Sequence, residues 1–303
     1  MVSRSIDKRK TISRLLILIC FVCLVAGVVF LLLTILNASS DVAPVEILGD
    51  ERSEEESQRP ESGLPDPVDF QPVVDEWVQS VSGNRSVAIY DLDRDEIAAS
   101  YNLSENYNTA SLYKLFVVYE GYRRIQNGEW QADAPAGSTG YSILKCLDLA
   151  IRESYSPCAE TLWAKIGHAE LDQIIATDFG IVDSSISTLT SNAQDITKMM
   201  KLFYAHPNIT DANLITVMKD SFLNQPTTTY NWRQGLPSGF ASAKVYNKVG
   251  WDYNPAGYWN VYHDAAIVEF PDGRHFVVVV MTNQVPFEKM RLFGSELEYA
   301  YSN

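Results

Sequence analysis

Basic residues are scarce in this 303-residue sequence: 24 Lys and Arg stand against 38 Asp and Glu, a net charge of -14. Binding nucleic acid requires clustered cations that neutralise phosphates, so this balance argues against a nucleic-acid partner. Metal-ligand patterns are missing as well. His168, His206, His263 and His275 form no H-x-E or C-x-x-C spacing with Cys146 and Cys158, so no metal or other cofactor is expected, and these histidines read as surface or core residues. There is no internal repeat. Cysteine is limited to four residues, of which Cys20 and Cys23 lie inside an apolar run and serve there as small hydrophobic side chains.

That run is the first positive feature. From Leu15 to Leu36 no charge interrupts the chain, which is about the ~20 residues a helix needs to cross a bilayer. Arg4, Lys8, Arg9, Lys10 and Arg14 precede it, and acidic residues follow. The positive-inside bias therefore predicts a cytoplasmic tail over 1–14, a single-pass transmembrane signal-anchor over 15–36, and everything later outside the cell membrane. A cleaved signal peptide is the competing reading, but its apolar core typically spans only about 7 to 15 residues. Residues 37–69 hold Asp41, Glu46, Asp50, Glu51, Glu54, Glu55, Glu56, Glu61, Asp66 and Asp69 among Ser and Pro. This stretch is too polar to bury a core and reads as a solvated linker. In an oxidising exported compartment, Cys146 and Cys158 form either a bridge or two buried thiols.

A folded domain is predicted over 70–303. Its first segment, with Val73, Trp77 and Val81 at helical spacing, reads as an amphipathic helix. Two β-rich runs around Asp91–Asp95 form a hairpin. A helix then begins near Ser111, with Thr109 or Ser111 as cap and Gly128 as stop. Five helical patterns fill 140–222, with no clear strand among them. Three β-rich runs follow, the last two joined by Pro271-Asp272-Gly273, and a helix closes the chain. This order predicts an α+β fold: one antiparallel sheet built from both chain ends, flanked by helices, with an all-helical insertion.

A serine hydroxyl is a weak nucleophile until a base lies within hydrogen-bond reach, and one helical turn brings residues i and i+3 together. The S-x-x-K pattern supplies that pairing at Ser5/Lys8, Ser111/Lys114 and Ser142/Lys145. The first falls in the cytoplasmic tail. Ser111 differs from Ser142 in following a strand pair and opening an apolar helix, where backbone donors are available for an oxyanion.

Thr109-Ala110-Ser111-Leu112-Tyr113-Lys114 resembles the first motif of class A β-lactamases and related penicillin-recognising serine enzymes. Ser154-Tyr155-Ser156, followed by a helix ending in Ile166-Gly167-His168, resembles the second, S-D-N. Asn247-Lys248-Val249-Gly250-Trp251, followed by a strand pair ending in Met281-Thr282-Asn283, resembles the third, K-T-G. The likeness spans 70–303. It implies a catalytic set of Ser111 as nucleophile, Lys114 as proton acceptor and Ser154 as donor to the leaving nitrogen. It also implies a substrate-binding set of Lys248, Val249, Gly250, Trp251 and Ser156, with the backbone N–H groups of Ser111 and Trp251 as the oxyanion hole.

The sequence departs from the family at three points. Tyr155 and Ser156 replace Asp and Asn, Val249 replaces a hydroxyl residue, and no Glu occurs between Ile181 and Asp195 where the deacylating Glu is expected. The resemblance thus implies an anchored serine β-lactamase-like or D,D-peptidase-like hydrolase. It would form an acyl-enzyme on β-lactams or peptidoglycan-derived D-Ala-type amides and deacylate slowly. The alternative is a weak or inactive relative that binds cell-wall fragments or a protein partner.

Overall fold

The computed structural model describes residues 66–226, 231–253 and 259–303. The apolar run Leu15–Leu36 and the linker up to residue 65 lie outside the described residues, among which no helix is long and apolar enough to cross a membrane.

Helix α1 (Gln71–Ser80) opens the domain, with Pro72 in its first turn and Val74, Trp77 and Val78 buried. The buried stripe thus starts one position later than the expected Val73, which is only partly covered. Strands β1 (Arg85–Asp91) and β2 (Glu96–Tyr101) form the expected hairpin. After a two-residue strand β3 (Tyr107–Asn108) and a 3-10 turn (Ala110–Leu112) comes α2 (Tyr113–Gln126). The helical insertion then adds α3 (Ile143–Arg152), α4 (Ser156–Ile166), α5 (His168–Thr177), α6 (Ala193–Ala205) and α7 (Ala212–Leu223). Strands β5 (Lys244–Tyr253), β6 (Trp259–Glu269) and β7 (His275–Asn283) and helix α8 (Phe287–Ser302) complete the chain. Two strands went unforeseen: β4 (Thr190–Ser191), inside the helical region, and β3, with which it pairs. Two residues are too few for a period-2 pattern to register.

The main sheet is antiparallel throughout, in the order β2-β1-β7-β6-β5. Strand β7 lies at its centre, covered on both faces, which explains the unbroken run Phe276–Met281 in place of an alternating pattern. On either side of it the alternation sorts two cores. Val87, Ile89, Ala266, Val268, Val278 and Val280 face α1 and α8, while Ala88, Ala265, Ile267, Val277, Val279 and Met281 face the helical insertion. Helix α2 is buried from Tyr113 to Tyr122, Lys114 and Glu120 included, because its neighbours enclose it. A Cβ added at Gly121 would stand 2.5 Å from Leu147 Cδ2, so the absent side chain is what lets α3 pack closely on α2.

Candidate active site

The turn that presents Ser111 is held from several directions. Asn108 Oδ1 accepts the N–H of Ala110 at 2.8 Å, stabilising Ala110 in a left-handed conformation (φ +43°). Thr109 N–H donates to Leu189 O at 2.8 Å, tying the turn to the loop before β4. His263 on β6 reaches Asn108 O through Nε2 at 2.7 Å and accepts the N–H of Thr282 on Nδ1 at 3.0 Å. A carbonyl can only accept, so Nε2 carries a hydrogen and donates to Asn108 O. Burial holds its pKa down to about 4, against the opposing pull of the Asn108 carbonyl and of the Tyr262 carbonyl, which lies 2.9 Å from Nδ1. Gly250 of β5 completes the cradle: a Cβ there would lie 2.8 Å from Thr109 O and 3.0 Å from Leu112 Cγ. Neither Thr109 nor Ser111 makes the expected helix-capping bond. The Ser111 hydroxyl instead meets Lys114 Nζ at 3.0 Å.

The second segment reaches the same amine from the end of α3. Ser154 is left-handed (φ +53°), a conformation that costs a non-glycine residue about 1–3 kcal/mol and occurs where the surroundings demand it. Here it delivers two groups to one partner, since Lys114 Nζ donates to Ser154 O at 2.5 Å and approaches Ser154 Oγ at 3.2 Å. Ser156 Oγ adds a contact at 3.0 Å. A disulfide between Cys146 on α3 and Cys158 on α4, with Cα atoms 4.9 Å apart, closes the chain around this bend. Of the two expectations for these cysteines, the structure realises the bridge.

The third segment is the edge strand β5. Lys248 Nζ donates to Ser154 Oγ at 2.9 Å and to Val249 O at 2.8 Å, so Ser154 Oγ lies between two lysine amines. Both lysines are buried, Lys114 at 0% and Lys248 at 1% exposure. Desolvation penalises an ammonium, and burial lowers Lys114 to about 8 against the opposing charge of Glu160. Lys248 is also pushed well below the usual lysine range, by burial and then by the charge of Lys114, with Asp264 acting in the other direction. The hydrogen-bond partners accommodate the neutral form. Lys114 has four oxygen neighbours, and only the Ser154 carbonyl must accept. The neutral amine can therefore donate to that carbonyl and to Ser156 while its lone pair accepts the proton of Ser111.

A family model described as the beta-lactamase enzyme family matches residues 69–294. The chain belongs to that family. Among solved structures this member is similar to a class A β-lactamase from Bacteroides cellulosilyticus, at 15% identity and TM-score 0.65 over 77% of this chain and 97% of that one. A β-lactamase from Chitinophaga pinensis matches at 16% identity and TM-score 0.63, over 75% of this chain and 96% of that one. PBP-A matches at 18% identity and TM-score 0.63, over 79% and 99%. At such identities the likeness is one of fold. No curated protein matches the sequence.

The β-lactamase-family fold brings Ser111, Lys114, Ser154, Ser156 and Lys248 around one point, with Gly250 beside it, and turns the side chains of Val249 and Trp251 away. Val249 is buried in the core beneath α1 and α8, and the Trp251 ring packs edge-on to Trp232 at 5.1 Å and against Phe287 at 6.4 Å. On a strand, alternate residues face opposite ways, so Lys248 and Gly250 share the face toward Ser111 while Val249 and Trp251 share the other. Ser156, expected at the substrate, is turned onto Lys114.

The loop between α5 and α6 supplies no carboxylate to this point among the described residues. Asp183 is exposed, and Asp195 is occupied by the N–H of Asp183, by Ser184 Oγ and by Lys198. Asp172 pins the same loop through the N–H of Ile186 at 2.6 Å.

Sequence reasoning overlooked His263 and Asp264, which support this site from β6. Asp264 accepts from Asn247 Nδ2 and from Leu236 N, both at 2.9 Å, and burial raises its pKa to about 7. A signal existed: His263-Asp264 places a polar residue on each face in the middle of an otherwise apolar strand. Such a pair is expensive unless both side chains are hydrogen-bonded.

Proposed function

We propose that this protein is an extracytoplasmic serine hydrolase, anchored by Leu15–Leu36, that forms an acyl-enzyme on Ser111 with β-lactams or D-Ala-type peptidoglycan amides. One observation carries the reading: a buried lysine with a depressed pKa lies 3.0 Å from a serine hydroxyl that caps no helix. In this reading the neutral Lys114 amine takes the Ser111 proton as Oγ bonds to the substrate carbonyl. The C–N bond then breaks, and Ser154 passes its proton to the leaving nitrogen. The two flanking amines resupply Ser154, and Lys248 attracts the substrate carboxylate. The Cys146–Cys158 bridge supports an oxidising, exported location.

The loop between α5 and α6 directs no carboxylate toward Lys114, so deacylation is expected to be slow and the adduct long-lived. The burial of Val249 favours a second reading, a binding relative that has lost turnover, because the position offers no hydroxyl to a substrate carboxylate.

Incubating the full-length protein in detergent with a fluorescent penicillin, beside Ser111→Ala, separates the two. The expected result is covalent label on wild type alone. Equal signals from both proteins would remove the acyl-enzyme reading and leave the binding one.

A further inference from the structure

A slow acyl-enzyme still has to be cleared by water, and some group must take that water's proton. Helix α4 offers one. Ser156, Glu160 and Trp163 recur at i, i+4 and i+7 along it, which puts them on one stripe of the helix. Both ends of the stripe touch the S-x-x-K helix. Ser156 Oγ meets Lys114 Nζ at 3.0 Å, and the Trp163 ring lies 5.3 Å from that of Tyr113, which itself lies 5.6 Å from Lys114 Nζ. Glu160 sits between these two contacts and is exposed, so its carboxylate meets solvent.

Its field reaches inward. After burial, Glu160 is the next influence on both groups, opposing the lowering of the Lys114 pKa and adding to the raising of the Tyr113 pKa. Among the described residues no ion pair joins Glu160 to Lys114. Glu160 stands one turn of α4 beyond the Ser156 that touches Lys114, an arrangement that leaves a place for a water between carboxylate and amine. The carboxylates that flank the neighbouring loop on α5 and α6 are committed elsewhere: Asp195 to Asp183, Ser184 and Lys198, and Asp172 to Ile186 and Ser187.

Resting on the acyl-enzyme reading above, we propose that Glu160 is the general base that hydrolyses the ester on Ser111, working from α4. Its carboxylate accepts a proton from water as the water oxygen bonds to the acyl carbon. The tetrahedral intermediate then collapses, the bond from the acyl carbon to Ser111 Oγ breaks, and the product leaves as a carboxylic acid. The proton held by Glu160 passes through Ser156 to the neutral Lys114 amine, and the ammonium so formed returns a proton to the Ser111 oxygen. One water is consumed, and no charge or proton remains on the protein.

The test separates the two chemical steps. Full-length wild type, Glu160→Gln and Glu160→Asp are mixed with excess penicillin, and adduct formation is followed by intact mass. The adduct is then freed of excess ligand and its decay is timed. The expected result for E160Q is a decay at least about tenfold slower with formation within about twofold of wild type, and E160D should recover part of the loss.

Decay at the wild-type rate in E160Q would overturn the proposal. So would an equal change in the rates of both steps, which marks a carboxylate acting only on Lys114 through its charge. An adduct that forms normally and decays regardless of Glu160 sinks this inference alone. Failure of wild type to form any Ser111-dependent adduct sinks the acyl-enzyme reading, and this inference with it.

Discussion

The chain contains the same tetrapeptide pattern twice in its folded domain, and the two copies do different things. At Ser142/Lys145 the serine is extended (φ -74°, ψ 163°) and its hydroxyl caps α3 by accepting the N–H of Lys145 at 3.3 Å. The lysine is half exposed and paired with Asp148 at 2.7 Å. At Ser111/Lys114 a 3-10 turn precedes the helix, no cap bond forms, and the lysine is sealed from solvent. In both places the spacing brings the residues near each other; only the surroundings decide whether the hydroxyl serves the backbone or faces an amine that loses its proton readily. An S-x-x-K at the surface of a helix is a cap beside an ion pair. Enclosed by a sheet, a left-handed serine and a second lysine, it becomes a nucleophile with its base.

Substitutions can break this contrast. Lys114→Met should lower the rate of penicillin labelling by about 10²–10⁴-fold, the range for losing a positioned proton acceptor, while Lys145→Met should leave it within about twofold. Equal effects would show that the two copies are equivalent. The disulfide joins the regions, since it links the helix that Ser142 caps to the one that begins at Ser156. Replacing Cys146 and Cys158 together with Ala should cost about 2–4 kcal/mol of stability in a denaturant titration.

Solution pH sharpens the comparison further. Burial holds the Lys114 pKa down to about 8, and only the neutral amine accepts a proton. The labelling rate should therefore rise roughly tenfold per unit at pH values below 8 and level off above it, a limb that Lys145→Met leaves in place. The smallest effect belongs to the cap: Ser142→Ala should cost about 1 kcal/mol of stability without changing labelling, and Ser111→Ala should cost less than that.

The residues that meet at Lys114 were legible from the sequence because their order along the chain is preserved. Ser111, Lys114, Ser154 and Lys248 each carry an identifiable neighbour, such as the Gly250 that close approach of β5 requires. The direction of side chains was harder to read. Val249 and Trp251 turn away because strand alternation assigns them to the face of α1 and α8, and which face bears the cleft is fixed only when the sheet packs. Ser156 reads as a substrate contact until Lys114 is seen to be buried beside it. His263 and Asp264 belong to hydrogen-bond networks whose partners, Asn108 and Asn247, lie in other parts of the chain. The fold class was clear from the order of patterns, while β3 and β4 were too short to leave any period.

The order of the sheet also governs when the protein can exist. Strand β7 is the last strand of the sheet to be synthesised, yet β1 pairs with it, as Val87 does with Val280, and β6 flanks it on the other side. The β1–β2 hairpin must therefore wait, unpaired along one edge, until the polypeptide has emerged as far as Asn283. Closing so long a loop slows assembly and leaves that edge open to stray association in the meantime. A chain that stops before residue 275 would lack the strand on which both halves meet. Premature termination there should yield debris for proteolysis and no partly active fragment.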